Sequence, residues 1–555
     1  MTLHKLELLM AAVAVALVAG ACAGGDDDAA RDEVGGDLTV VALDQELDPA
    51  LSRSTSDGAG EELVGRALST TTHAASAPSA DLAEGRFGAG GSATVNDEPY
   101  DLTFFDNYGV NPRIDTEDDR FSTFAVDVDT GAYTIARRYL DDGFLPDADS
   151  VRVEEYVNFF DHRYPAPDDE AFAIHLEAGA TPFAENDRYQ LLRVGLQGYV
   201  VDDADRKPAN LTFVVDVSGS MDREDRLETV KQALEMLIDE LRPSDQVGLV
   251  VYGDRGRVLL EPTAVEDRNT VLDAIRQLRP EGSTNAEEGL ELGYELARRA
   301  YRAGAINRVI LASDGVANVG ATGADSILDR IEAESSDIQL ATVGFGMGNY
   351  NDVLMEQLAN RGDGFYAYVD TLAEAERLFV HGLTGTLQTI AEDAKVQVEF
   401  NPAAVERYRL VGFENRAVAD EDFRNDDVDA GEIGAGHSVT ALYEVRLVDD
   451  VEPDATIAVV FLRWRDPDDG EVREISKDLF AGDFAADFEQ TSDTFQLAAT
   501  VAAFAEVLRE SYWAQHLDLD DVARHADRLA DGLLGDDGEV GEFARLVDRA
   551  ASLVE

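Results

Sequence analysis

LTFVVDVSGS, residues 211–220, is the stretch on which the fold turns. LTFVV runs without interruption into Asp216, and Ser218 and Ser220 follow at a spacing of two. A strand that is apolar at successive positions is buried on both faces, as in a parallel sheet covered by helices. Outward from it, strands alternate with amphipathic helices. RLETVKQALEMLIDELRP (226–243) reads as a helix, QVGLVVYGD (246–254) as a strand and EEGLELGYELARRAY (287–301) as a helix. RVILASDG (308–315) and IQLATVGFG (338–346) read as strands, SILDRIEAE (326–334) and VLMEQLANRG (353–362) as helices, and GFYAYVD (364–370) as a last strand. The pattern predicts an α/β doubly wound parallel sheet with helices on both faces over residues 206–390. Ligands of such sheets bind at the carboxyl ends of the strands.

Three polar signals fall where strands end: Asp216, Ser218 and Ser220; Thr284 in EGSTN (281–285); and Asp314 in SDG (313–315). A hard divalent cation takes oxygen ligands, and Mg2+ takes about six. Two carboxylates, several hydroxyls and water meet that need and leave a position for an incoming carboxylate. The competing reading makes the serines helix caps and the aspartates turn residues.

The order DxSxS, loop threonine and strand-end aspartate resembles the metal-ion-dependent adhesion site (MIDAS) of von Willebrand factor type A domains. The resemblance implies that Ser218 and Ser220 coordinate directly and that Thr284 joins when ligand is bound. Asp216 and Asp314 would act through water and hydrogen bonds. Ser283 stands where glycine is frequent in that family. The flanks, NPRIDTEDDRFSTFAVDVDTGAY through VRVEEYVNFFDHRYPAP (111–167), VGFGMGNYNDVLMEQLA (343–359) and VDAGEIGAGHSVTALYEV (428–445), resemble a family of bacterial lipoproteins built around such a domain. That family implies a surface-exposed or periplasmic binding protein.

Composition sets limits on partners. The chain has 555 residues, 45% of them hydrophobic, enough for several cores. Its formal net charge of −66 excludes nucleic acid and anionic lipid as electrostatic partners. Five of the 46 basic residues are lysines. Such a surface is similar to that of proteins from salt-loving microbes; a GC-rich genome with a solvated acidic face is the other reading.

LLMAAVAVALVAGA (8–21) is too short to span a bilayer and has a signal-peptide layout. VAGAC (18–22) resembles a lipobox, although Ala19 stands where leucine is commonest. Cys22, the one cysteine in the chain, is expected to carry lipid.

The expected organisation is a signal peptide (1–21), then lipidated Cys22 with a flexible acidic linker (22–95). A small α+β domain (96–205), the α/β domain (206–390), a β-rich domain (391–493) and a helical region (494–555) follow. The apolar residues Val501, Phe504, Ala505, Leu508 and Tyr512 predict one core-facing stripe. Asp127 and Asp129 read as turn residues, 425–432 as an acidic loop, and RGD (361–363) as the end of a helix. No HExxH, GxSxG or P-loop is present.

The expected function is that of a lipid-anchored extracytoplasmic lipoprotein. Its cation (Mg2+, or Mn2+ or Ca2+) takes an acidic residue from a partner protein. An envelope scaffold with a structural metal is the alternative, and a metal-dependent phosphohydrolase a more distant one. The chain is not expected to be an enzyme, and its oligomeric state is not legible.

Overall fold

The six-stranded sheet of the α/β domain runs, edge to edge, Tyr366–Val369, Gln339–Phe345, Ile306–Ser313, Ala209–Asp216, Gln246–Tyr252, Gly256–Ala264. All neighbours are parallel except the last pair. The computed structural model describes residues 103–167, 170–223, 226–315, 338–347 and 350–554. These belong to one contact unit, Gly90–Glu555. The signal segment, Cys22, the linker and the helix expected at 326–334 lie outside the described residues.

Alternation along Ala209–Asp216 divides the core. Phe213 and Val215 pack with Leu234, Leu237 and Ile310 on one face. Val214 packs with Val250, Leu290, Leu296 and Leu311 on the other. Every residue of this strand is buried, because helices cover both faces. Helices Arg226–Glu240 and Arg268–Arg276 cover the first face, and Ala286–Ala300 and Asp352–Asn360 the second. The chain leaves the central strand toward a neighbour on either side, so a crevice opens at its carboxyl end.

The segments read from the sequence as two flanking domains contribute strands to the same sheets. Phe121–Ala125 pairs with Thr389–Phe400. Phe172–Ala180 and Tyr189–Gly198 share a sheet with Ser438–Leu447 and Val405–Val411. Leu192 and Val194 meet Val396, Val398, Tyr443, Val460 and Trp464 in one core. Pairing over more than 200 positions has no local signal, so periodicity alone separates what the fold joins.

The C-terminal helices Asp493–Leu508, Leu519–Arg528 and Gly538–Val554 pack with Gly131–Asp141 and Val153–Asn158. The stripe expected on the first of them is corrected in two ways. The helix ends at Leu508, leaving Tyr512 beyond it and 68% exposed. Its other faces are also buried, including Gln496, Thr500 and Glu506, so it is a central helix and not an amphipathic one.

A buried ionic junction ties the flanks to the α/β domain. Arg416 meets Asp127 (3.0 Å), Asp129 (3.3 Å) and Glu356 (3.3 Å). Arg152 meets Asp352 at 2.7 Å and pairs with Glu155. The turn role read for Asp127 and Asp129 is present, since the Asp129 amide donates to Asp127 Oδ1 at 2.9 Å.

Burial holds the carboxyls of Asp129, Glu154, Glu155 and Glu356 above their ordinary range, Glu154 to about 7 and Glu155 to about 8. At these four carboxyls the folded protein binds more protons than the unfolded chain between about pH 5 and about pH 8, and their contribution to stability is lost as pH rises through that window. Melting in chelator is expected to occur several degrees lower at pH 8 than at pH 5.5. A melting temperature that is flat or rises over this range would contradict the assignment.

Candidate metal centre

Asp216 ends the central strand with no solvent exposure, and Ser218 and Asp314 are each 1% exposed. The DxSxS turn is stitched to its neighbours by the main chain. The Val217 amide donates to Tyr252 O (2.8 Å), Gly219 to Gly282 O (3.0 Å) and Glu281 to Val217 O (2.5 Å). The loop 281–285 is thereby fixed against the strand end, with Thr284 half-buried on it. Gly282 allows this approach. It has φ +60°, and a Cβ there would lie 2.2 Å from Asp254.

Both oxygens of Asp216 accept hydrogen bonds, from the Ser218 amide at 2.7 Å and from Ser313 Oγ at 2.9 Å. Ser218 Oγ and Ser220 Oγ stand 2.9 Å apart. The Ser220 hydroxyl also bonds Asp314. Asp314 Oδ2 accepts from Arg226 Nη1 at 2.7 Å. Arg226 opens the helix after the turn and donates from Nη2 to Met347 O. The helix-cap reading fails at Ser218, whose side chain makes no capping bond to the short turn Gly219–Asp222. Its oxygen faces Ser220 instead.

Asp216, Ser218, Ser220 and Asp314 are thus joined by direct hydrogen bonds or through Ser313. The backbone brings the Thr284 loop to them. Burial, with the Asp314 charge second, pushes the Asp216 carboxyl up to about 6. Burial also raises Asp314, against the pull of Ser220 and Arg226. Two buried carboxylates beside hydroxyl oxygens form a hard, oxygen-only donor set that fits Mg2+ or Mn2+. Asp216, Ser218, Ser220, Thr284 and Asp314 would hold such an ion, whose chemistry is to attract an anionic oxygen.

Sequence reading missed three residues. Ser313 precedes Asp314 in the quoted SDG, where its strand-end position was the available signal. Asp254 follows the neighbouring strand and accepts from the Ser283 amide (2.7 Å) and hydroxyl (2.9 Å). That bond accounts for a serine where glycine is frequent. Arg226 lies 88 positions from Asp314 and gave no local sign. Its guanidinium opposes cation entry. Arg226→Gln is expected to raise affinity for Mn2+ about tenfold, as removal of one nearby like charge predicts. Titration calorimetry of the two proteins reads this, and equal affinities would refute it.

Elsewhere, ligand atoms of Asp363, Asp429 and Glu432 lie within 4.8 Å of one another, joining the RGD tripeptide to the acidic loop. Such clusters arise without a cation on a chain of charge −66.

Fold and strand-end site together define a von Willebrand factor type A domain, and residues 210–380 match the family model of that description. A family model described as von Willebrand factor matches residues 100–193. A third, described as the C-terminal part of uncharacterized protein YfbK, matches residues 385–456 and 449–553. Uncharacterized protein YfbK of Escherichia coli (strain K12) is 33% identical over 479 residues, 81% of each chain. The chain belongs to the YfbK family of von Willebrand factor type A proteins.

Uncharacterized protein sll0103 of Synechocystis is 32% identical over 207 residues, 37% of this chain and 47% of that one. A solved von Willebrand factor type A protein from Catenulispora acidiphila aligns over 66% of this chain and 88% of its own, at 15% identity and a TM-score of 0.40. Domains of this type are interaction modules for proteins, often metal-dependent.

Proposed function

We propose that this chain is an extracytoplasmic lipoprotein, anchored through Cys22, that captures a partner protein by a divalent cation held at the DxSxS site. The observation that carries the reading is the pair of serine hydroxyls 2.9 Å apart between two buried aspartates, with Ser218 released from helix capping. The cation neutralises Asp216 beside the Arg226–Asp314 pair and draws an acidic side chain from the partner. The serines and Thr284 position it, and the surrounding loops supply selectivity.

The enzyme reading is disfavoured by geometry. Asp216 has no solvent exposure, so neither of its oxygens is presented to a substrate as a nucleophile.

One observation favours the scaffold alternative: Arg226 already neutralises Asp314, so the site is internally paired. Calorimetric titration of Mg2+ and Mn2+ into the soluble protein separates the two. Saturable one-site binding, followed by partner capture that chelator abolishes, supports the adhesion reading. Metal binding with capture that survives chelator supports the scaffold. Absence of any one-site binding sinks the metal assignment. Retention of a lipid on Cys22 is read independently, by mass spectrometry of the membrane fraction.

A further inference from the structure

Arg226 fills the space between two strand ends. Its stem lies against Gly346, where φ is +79° and a Cβ would stand 2.6 Å from the arginine Cδ. Glycine alone leaves that room. Nη1 donates to Asp314 Oδ2 at 2.7 Å, and Nη2 donates to Met347 O. Both bonds are buried, the arginine being 4% exposed. One guanidinium thus joins the candidate metal centre to the segment that follows the strand Gln339–Phe345.

That segment leads into the junction with the flanks. Met347 packs in one core with Tyr350, Leu354 and Tyr366. Tyr350 and Asn351 pair with Thr103 and Phe104. Asp352 and Glu356, on the helix that follows, meet Arg152 and Arg416. A cation that neutralises Asp216 enters beside the Arg226–Asp314 pair. Its charge repels the guanidinium and attracts the carboxylate, so it weakens the pair from both ends. The guanidinium is one rigid plane, so a move that breaks the bond to Asp314 also disturbs the bond to Met347 O.

We propose that Arg226 is a displaceable latch. It rests on Asp314 when the site holds no cation and leaves once a cation has entered beside it, which loosens the segment from Phe345 to the start of the helix Asp352–Asn360. This role rests on the cation proposed for the DxSxS site. A ligand shifts a two-state element only by favouring one arrangement, and the cation does so by its repulsion of Arg226. Occupancy of the metal centre is thereby passed to the part of the α/β domain that holds the flanks. An arginine of purely structural role would keep both bonds with the cation in place.

The test is hydrogen exchange of the full chain, read by mass spectrometry in chelator and in saturating Mn2+, beside Arg226→Gln. With Mn2+, the amides of 345–347 and 350–354 in the parent are expected to exchange at least about tenfold faster, the factor that one lost hydrogen bond to a charged group is worth. The amides of 217–220, next to the ion, are expected to slow. In Arg226→Gln the faster exchange is expected in chelator already, and Mn2+ is expected to bind by calorimetry without changing it. Binding of Mn2+ to the parent with the first set of amides unchanged or slowed would overturn the latch, and this arm needs no variant. So would an equal response to Mn2+ in Arg226→Gln. No calorimetric binding of Mn2+ to the parent would remove the cation from the site, and the latch with it.

Discussion

Asp216→Asn is expected to move two measurements in opposite directions: divalent-cation binding is lost, while the chelated protein becomes more stable. The carboxylate supplies charge that the serines cannot replace, so calorimetric titration of the variant with Mn2+ should show no site. Without a cation, the same charge is a burden. Burial and the Asp314 charge hold the Asp216 carboxyl at about 6, against an ordinary 3.8. A carboxyl raised by that amount costs the folded protein about 3 kcal/mol once it is ionised, and nothing once it is protonated in both states.

The penalty is therefore full above about pH 6 and fades toward pH 4. Asparagine keeps an oxygen for the Ser218 amide and a nitrogen that can face Ser313, so the local hydrogen bonds have replacements. Melting in chelator at pH 8 should show the variant above the parent, with the gap closing as pH falls. A variant less stable than its parent at pH 8 would show that the site is built for structure and not for an ion. Stability given up for binding is a common trade at functional sites.

The convergence of the candidate residues was legible because they carry local signals. Asp216, Ser218 and Ser220 follow a strand whose apolar run announces burial, and Asp314 ends another such strand. Backbone bonds from Gly219 and Glu281 then bring the Thr284 loop to the same place. Arg226 was not legible, because its partner is set by how a helix start faces a strand end 88 positions away. The α/β sheet was legible for the same reason as the site. Its strands are apolar throughout and its helices amphipathic.

The flanks were harder to read. Lys395, Gln397 and Glu399 on Thr389–Phe400 mark an alternating strand but do not say which strand it meets. The answer, Phe121–Ala125 on one side and Thr456–Arg465 on the other, depends on pairings more than 50 residues apart. The helix Asp493–Leu508 deceived for a different reason. Its alanines and threonines leave a stripe of larger residues that resembles one face, yet small residues also pack when neighbours surround them.

Arg416→Met is expected to be the most damaging single change at the junction between the flanks and the α/β domain. Its guanidinium meets Asp127, Asp129 and Glu356, which come from a loop after one strand and from a helix more than 220 positions further on. Methionine fills much of the same volume but leaves three carboxyls without their shared cation. Removing one member of a buried ion network costs about 3–5 kcal/mol, because uncompensated charge remains out of water. Protonation is the available relief, and burial already raises Asp129 and Glu356 toward it. The loss measured by urea unfolding should therefore be larger at pH 8 than at pH 5.5. Adding Asp127→Asn should restore part of it, since the second change removes one of the stranded charges. If Arg416→Met costs the same at both pH values and Asp127→Asn restores nothing, the arginine acts by packing and the carboxyls are not stranded by its loss. A restored double variant would show that the flanks are held to the α/β domain by charge balance, with the arginine standing in for protons that the acidic cluster otherwise takes up.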